Sequence, residues 1–136
     1  MKTLFRLFAL ALCLLVQPLA SAQAIVPVDG IWADPDPTKP GTGLGIAYRH
    51  GVLVVAIYSY GSTGPAQWYL LSGSVTNNVF TATLDKYTGG QCISCTYVGP
   101  SLSGNDGTLT ITFTSSTTAT VNYPGGRTGT IAPFSF

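Results

Sequence analysis

The stretch TLTITFT, residues 108 to 114, decides the fold class. Leu109, Ile111 and Phe113 fall on one side of an extended chain, and the threonines between them fall on the other. This period of two is typical of a β-strand with one buried face and one solvated face.

Similar segments extend outward from it, joined by short turns. LGIAYRH (44–50) and VLVVAIYSY (52–60) meet at Gly51, and AQWYLLSGSVT (66–76) and VFTATLDKY (79–87) meet at Asn77 and Asn78. Glycine and asparagine tolerate the positive φ of tight hairpin turns. Residues 88–107 break the period and are expected to form one long irregular stretch. TATVNYP (118–124) and TGTIAPFSF (128–136) complete the series.

The composition also favours an all-β protein. The chain contains no Glu and little Lys, which are the residues that usually form exposed helix faces. Short connections place sequential strands side by side, so we expect an antiparallel up-and-down meander of about eight strands. Such a meander closes as a small barrel when the first strand, near Trp32, lies beside the last, near Ile131. A β-sandwich is the alternative.

Residues 1–22, MKTLFRLFALALCLLVQPLASA, have the three parts of an export signal. Lys2 and Arg6 precede an apolar run that is too short to span a bilayer, and small residues follow at Ala20 and Ala22. We expect cleavage after Ala22, a periplasmic or secreted protein with no transmembrane segment, and a single domain over residues 23–136. The oligomeric state stays open.

Charge excludes one class of partner. Without the signal, four basic side chains face five acidic ones, and the basic ones are not clustered in the sequence. Nucleic-acid binding needs clustered Lys and Arg to release counterions from the phosphates, so no nucleic-acid partner is expected.

Cys92 and Cys95 form the motif CISC. In an exported chain whose third cysteine lies in the signal, we expect them to form a disulfide that closes a short loop, worth on the order of 2 kcal/mol. A thioredoxin-like redox pair would need a helix start, and no helical pattern lies nearby.

The sequence contains no coherent catalytic or metal-binding set. Its one histidine, His50, precedes a turn glycine, and the chain has no GxSxG nucleophile elbow. Asp34 and Asp36 lie in a proline-rich loop that lacks the further ligands of a calcium site. A zinc site would need two ligands beyond the cysteines, and the chain offers a single histidine. We therefore expect a non-enzymatic protein without cofactor or metal.

Aromatic residues remain the candidate ligand-binding groups. Tyr58 and Tyr60 share one face of their strand, whereas Trp68 and Tyr69 must lie on opposite faces of theirs. One of those two rings should point into the core and the other outward. Trp32 completes the candidate set.

These aromatics belong to a recognisable pattern. Four segments resemble a GxW, GxG, Tyr-turn-GxPxWY module of uncharacterised exported bacterial β-rich proteins. They are GIW (30–32), PGTGLGI (40–46), the apolar strand ending in Tyr60, and GPAQWY (64–69). Gly61 stands where that module usually has Asp, and the proline is displaced to Pro65. The resemblance implies an exported β-rich module. The Gly30 to Trp32 spacing and the strand count are also similar to avidin-like and lipocalin-like barrels, a fold-level analogy that supplies no ligand.

Two binding hypotheses follow. In the first, Trp32, Tyr58, Tyr60 and Trp68 form the walls of a site for a small apolar or amphipathic molecule. In the second, outward aromatics form a surface platform for a glycan or a protein partner. A structural component of the envelope is a further alternative.

Overall fold

A computed structural model describes residues 23–36, 38 and 42–135. Within these residues, antiparallel strands follow one another in sequence order around a closed barrel. The strands are β1 (Gly30–Ala33), β2 (Gly43–Arg49), β3 (Val52–Tyr60), β4 (Ala66–Thr76), β5 (Val79–Gly89), β6 (Pro100–Ser115), β7 (Thr118–Asn122) and β8 (Thr128–Pro133). The predicted all-β meander is confirmed, and it closes as a barrel rather than packing as a sandwich. The predicted export signal, residues 1–22, lies outside the described residues.

The barrel closes where the sequence predicted. Trp32 and Ala33 of β1 pair with Pro133 and Ala132 of β8, and the Phe134 amide donates to the Ile31 carbonyl at 2.8 Å. Closure gives the first and last strands a partner and so removes two edges.

Two tight hairpin turns set the register. His50 and Gly51 have φ values of 49° and 84°, and Asn77 and Asn78 have φ values of 51° and 64°. Positive φ at both central residues is the mark of a two-residue turn whose twist matches the flanking strands. Both predicted hairpins are present.

The expected irregular stretch over residues 88–107 is shorter than predicted. β5 continues to Gly89 and β6 begins at Pro100, so only the connection between them lies outside the strands. Two register shifts, opposite Thr83–Asp85 and Lys86–Tyr87 of β5, each place one extra residue in β6. These bulges disrupt the alternation that identifies a strand in sequence. Within the connection, Cys92 and Cys95 form the predicted disulfide, with Cα atoms 5.1 Å apart.

Apolar side chains fill the interior, as eight strands enclose just enough space for them. Trp32 is fully buried, its indole N–H donates to the Val28 carbonyl at 3.0 Å, and its ring meets Phe113 edge-on at 6.0 Å. The other buried apolar residues are Leu44, Ile46, Leu53, Val55, Ile57, Tyr69, Leu71, Phe80, Leu84, Leu109, Ile111, Ala119, Val121 and Ile131. Within the described part of the chain, no helix has the length and hydropathy needed to cross a bilayer.

Candidate functional site

The structure divides the five candidate aromatics between the two sides of the barrel wall. Trp32 and Tyr69 point inward and are 0% and 8% exposed, whereas Tyr58, Tyr60 and Trp68 point outward and are 55%, 66% and 64% exposed. Trp68 and Tyr69 therefore face opposite sides, as predicted. Because the wall separates Trp32 from the three outer rings, these four residues do not line a common cavity.

The outward aromatics belong to a larger apolar surface. Tyr58 of β3 pairs in register with Trp68 of β4, and Ala56 pairs with Leu70. Side chains of paired residues lie on the same face of the sheet, close enough to pack. We call this set the outer apolar surface, and its exposed members are Val52, Val54, Tyr58, Tyr60, Trp68 and Leu70.

This surface carries no formal charge. No Asp, Glu, Lys or Arg occurs between Arg49 and Asp85, an interval that includes all of β3 and β4. An exposed, contiguous, uncharged apolar patch on a small protein usually marks an interaction site. Its aromatic content matches the core of protein interfaces, which is depleted of charged residues.

Two concavities flank the Trp68 indole. A groove of about 190 Å³ on one side is lined by Tyr58, Ser59 and Tyr60, together with Ala66 and Gln67. A cleft of about 350 Å³ on the other side lies between β4 and β5, and we call it the β4–β5 cleft. It is lined by residues 66–70 of β4, residues 85–88 of β5 and Ser103 of β6.

A polar network joins three strands beside this cleft. The Tyr69 hydroxyl donates to Oδ2 of Asp106 at 2.5 Å, and Lys86 Nζ donates to Oδ1 of the same carboxylate at 2.6 Å. Gln67 Nε2 also donates to Oδ2, at 3.3 Å. The Asp106 carboxylate therefore links β4, β5 and β6 through side chains alone.

The protonation states of this network follow from its geometry. Burial, and then the adjacent Asp106 carboxylate, raises the pKa of Tyr69 to about 12. The hydrogen bond from Lys86, followed by that from Tyr69, lowers the pKa of Asp106 below its usual value. At neutral pH Tyr69 is protonated and Asp106 is ionised, so each already holds the form that its hydrogen bonds require.

Sequence reasoning missed the β5 and β6 side of the site. Tyr87 is more than half exposed at the cleft, and Asp85, Lys86 and Ser103 line it. The sequence did contain a signal at Lys86. It lies an even number of residues from Phe80 and Leu84, so its side chain falls on the inward face of β5 and requires a polar partner. The bulges in β6 hid the identity of that partner, Asp106.

The remaining sequence candidates lie elsewhere. His50 is exposed in the β2–β3 turn. Asp34 and Asp36 accept backbone hydrogen bonds at 3.0 Å from Asp36 and Thr38 respectively, the pattern of turn-forming aspartates. Among the described residues, no three His, Cys, Asp or Glu side chains are grouped to hold a metal ion.

No family model, curated protein or solved structure matches the chain.

Proposed function

We propose that this chain is an exported, non-enzymatic binding protein that recognises a protein partner through the outer apolar surface. One observation carries the proposal: Tyr58, Tyr60, Trp68 and Leu70 are each more than half exposed and adjoin one another on two strands that contain no charged residue. Burying such a surface against a partner is favourable because apolar area leaves water without stranding a charge.

The composition of the surface favours protein over glycan. A glycan site combines an aromatic ring with several polar groups that hydrogen-bond to hydroxyls, whereas the paired Tyr58 and Trp68 are followed on the same face by the pair Ala56 and Leu70. Aliphatic neighbours of an exposed Trp and Tyr are typical of the central part of a protein interface.

The protonation states argue for binding rather than turnover. Tyr69 keeps its proton at neutral pH, and the Asp106 carboxylate is occupied by three donors. A general base needs a carboxylate or imidazole free to accept a proton near neutral pH, which this network does not supply.

Site-specific photocross-linking in the producing cell tests the proposal. Benzoylphenylalanine placed at Tyr60 should form a cross-link to another polypeptide, because Tyr60 lies at the end of the outer apolar surface. The matched control is the same group at Thr130, an exposed position on β8, across the barrel from β4. Trp68→Ala should abolish the Tyr60 cross-link and leave the melting temperature nearly unchanged, since Trp68 lies outside the core.

Three outcomes would overturn the proposal. Equal cross-linking at Tyr60 and Thr130 would mean that the surface is not selective. A Trp68 fluorescence change with maltohexaose, cellohexaose or chitohexaose, without any cross-link, would indicate a glycan. The same change with oleate would indicate a small amphipathic ligand.

A further inference from the structure

In the described structure, the strands β4 and β5 form ladder pairs only next to their turn. Each strand has eleven residues, but their ladder has two pairs, Val75↔Phe80 and Thr76↔Val79, next to the turn. By contrast, β3 and β4 form nine pairs without a register shift. From Ala66 to Ser74, β4 has no ladder pair with β5 in the described structure. The two backbones are still adjacent at Gly73, where a Cβ would lie 4.0 Å from the Thr81 carbonyl oxygen, so the open part of the edge is residues 66–70, which line the cleft.

Bulges in β6 account for this opening, because each register shift against β5 places one extra residue on β6. The register of β5 against β6 shifts between Thr83 and Asp85 and again between Lys86 and Tyr87. A bulge bends its strand and increases the local twist. Beyond the Asn77–Asn78 turn, β5 thus follows β6 and separates from β4.

The lining of the β4–β5 cleft shows that it lies between two strand edges. Five consecutive residues of β4, 66–70, and four consecutive residues of β5, 85–88, reach it. The ladder pairs between the two strands, Val75↔Phe80 and Thr76↔Val79, lie next to the turn and outside both runs. The cleft therefore lies where β4 and β5 share no ladder pair among the described residues.

The direction of the backbone groups can be read from two hydrogen bonds. The Val75 amide donates to the Gly51 carbonyl at 2.9 Å, and the Pro65 carbonyl accepts from Gly61 at 2.8 Å, so the odd-numbered residues of β4 turn their backbone groups toward β3. These groups alternate in direction along a strand. The amides and carbonyls of Trp68 and Leu70 therefore point into the β4–β5 cleft.

We propose that an extended segment of the protein partner pairs with the open edge of β4, through the backbone groups of Trp68 and Leu70. This inference rests on the proposed function and names how the partner binds. An unpaired strand edge is a template for an added strand, and backbone pairing supplies affinity in such complexes. The outward side chains of Trp68 and Leu70 then flank the added strand on one side, and Tyr87 flanks it on the other.

The cleft also selects the side chains of that segment. Lys86 is engaged by Asp106, whereas Asp85 is among the residues that line the cleft. A segment with alternating apolar residues and no acidic ones fits, because an acidic side chain would be repelled by Asp85 and would find no unengaged cation among the described residues that line the cleft.

Hydrogen exchange in the free protein tests the open edge without a ligand. In residues 23–136, the Trp68 and Leu70 amides should exchange at least about tenfold faster than those of Tyr69 and Leu71, which donate to β3. Equal protection of all four amides would overturn the inference, because the edge would then already be paired.

Peptide selection tests the pairing itself. A random dodecapeptide library is selected on the wild-type protein and counter-selected on Leu70→Pro, which removes one cleft-facing donor and keeps the β3 ladder. The selected peptides are then synthesised with N-methyl groups on alternate residues, in both registers. One register should weaken binding about tenfold or more and the other should leave it unchanged, because only alternate amides face the host strand.

The outcomes separate this inference from the proposed function. Equal binding of both methylated registers, or failure to recover any peptide that prefers the wild type, would overturn strand pairing. A Trp68-dependent cross-link at Tyr60 would meanwhile preserve the proposed function. Because the methylated peptides are assayed on the wild-type chain, the test holds even if Leu70→Pro fails to fold.

Discussion

The Tyr69 hydroxyl on β4 and the Asp106 carboxylate on β6 lie 2.5 Å apart where β4 and β5 share no ladder pairs. Lys86 of β5 binds the other oxygen of that carboxylate. Side chains thus connect three strands where backbone pairing is missing. The barrel remains joined at this point while the edge of β4 stays open.

Tyr69→Phe should lower the free energy of unfolding by about 1 kcal/mol, the usual value of one hydrogen bond. It should also reduce the loss of stability in alkali, leaving the part that Tyr123 contributes, because burial raises the pKa of Tyr123 as well. The pKa of Tyr69 is about 12 in the folded protein, above its value of about 10 in the unfolded chain. The stability that this group contributes is complete below about pH 10 and is lost as the pH rises toward 12. Urea unfolding across this range measures the difference.

Tyr58→Phe is the matched control, since it removes a hydroxyl from an outward ring. The free energy of unfolding of Tyr58→Phe should fall in alkali as that of the wild type does. Identical pH profiles for Tyr69→Phe and the wild type would contradict the assigned hydrogen bond.

Asp106→Asn should reduce the loss of stability in acid. The pKa of Asp106 is lowered in the folded state, chiefly by Lys86, so its contribution is present above the unfolded value of about 4 and is lost as the pH falls through the folded one. Replacement by Asn should lower the free energy of unfolding at neutral pH and make it fall less steeply as the pH is lowered. Urea unfolding from neutral pH to about pH 2 measures both effects.

Asp106→Asn should still lose some stability in acid. The pKa of Asp29 is also lowered, first by the Tyr48 amide and then by Arg49, and this pair is untouched by the substitution. If Asp106→Asn lost as much stability in acid as the wild type, Asp106 would not interact with Lys86 and Tyr69 as described.

Much of the fold could be predicted from sequence because its information is local. The alternation in TLTITFT identifies a half-buried strand, and Asn77–Asn78 identifies a two-residue turn. The first half of β6 could not be found this way. Gly104, Asn105 and Gly107 carry no alternating pattern, and the strand there is specified by pairing with β5 across two register shifts.

The site was only half predictable for the same physical reason. The alternation of side chains along a strand placed Trp68 and Tyr69 on opposite faces and grouped Tyr58 with Tyr60. This alternation does not indicate which neighbouring strands fail to form ladder pairs. The β4–β5 cleft arises where β5 follows the bulged strand β6, a relation between strands that a single strand does not encode.

Gly107→Ala should destabilise the protein more than a glycine substitution in open space. Gly107 has φ +99°, and a Cβ there would lie 3.0 Å from the Cβ of Pro124. Gly125→Ala is the matched control, because Gly125 has φ +78° and no atom within 4 Å of an added Cβ. We expect a loss of about 1–2 kcal/mol for Gly125→Ala from backbone strain alone. Overpacking against Pro124 should add about 1–3 kcal/mol for Gly107→Ala, measured by urea unfolding. Equal losses would mean that the β6 strand and the Pro124 turn are not in contact.

The two tryptophans should report the two sides of the barrel wall separately. Trp32 is fully buried and Trp68 is 64% exposed. The Trp68→Phe variant should therefore emit at shorter wavelength than the wild type and resist acrylamide quenching, with stability changed by less than about 0.5 kcal/mol. Trp32→Phe should emit at longer wavelength, be readily quenched, and lose about 2 kcal/mol, because it leaves a cavity and an unpaired Val28 carbonyl. Similar emission from both variants would contradict the placement of these residues on opposite sides of the wall, on which the outer apolar surface depends.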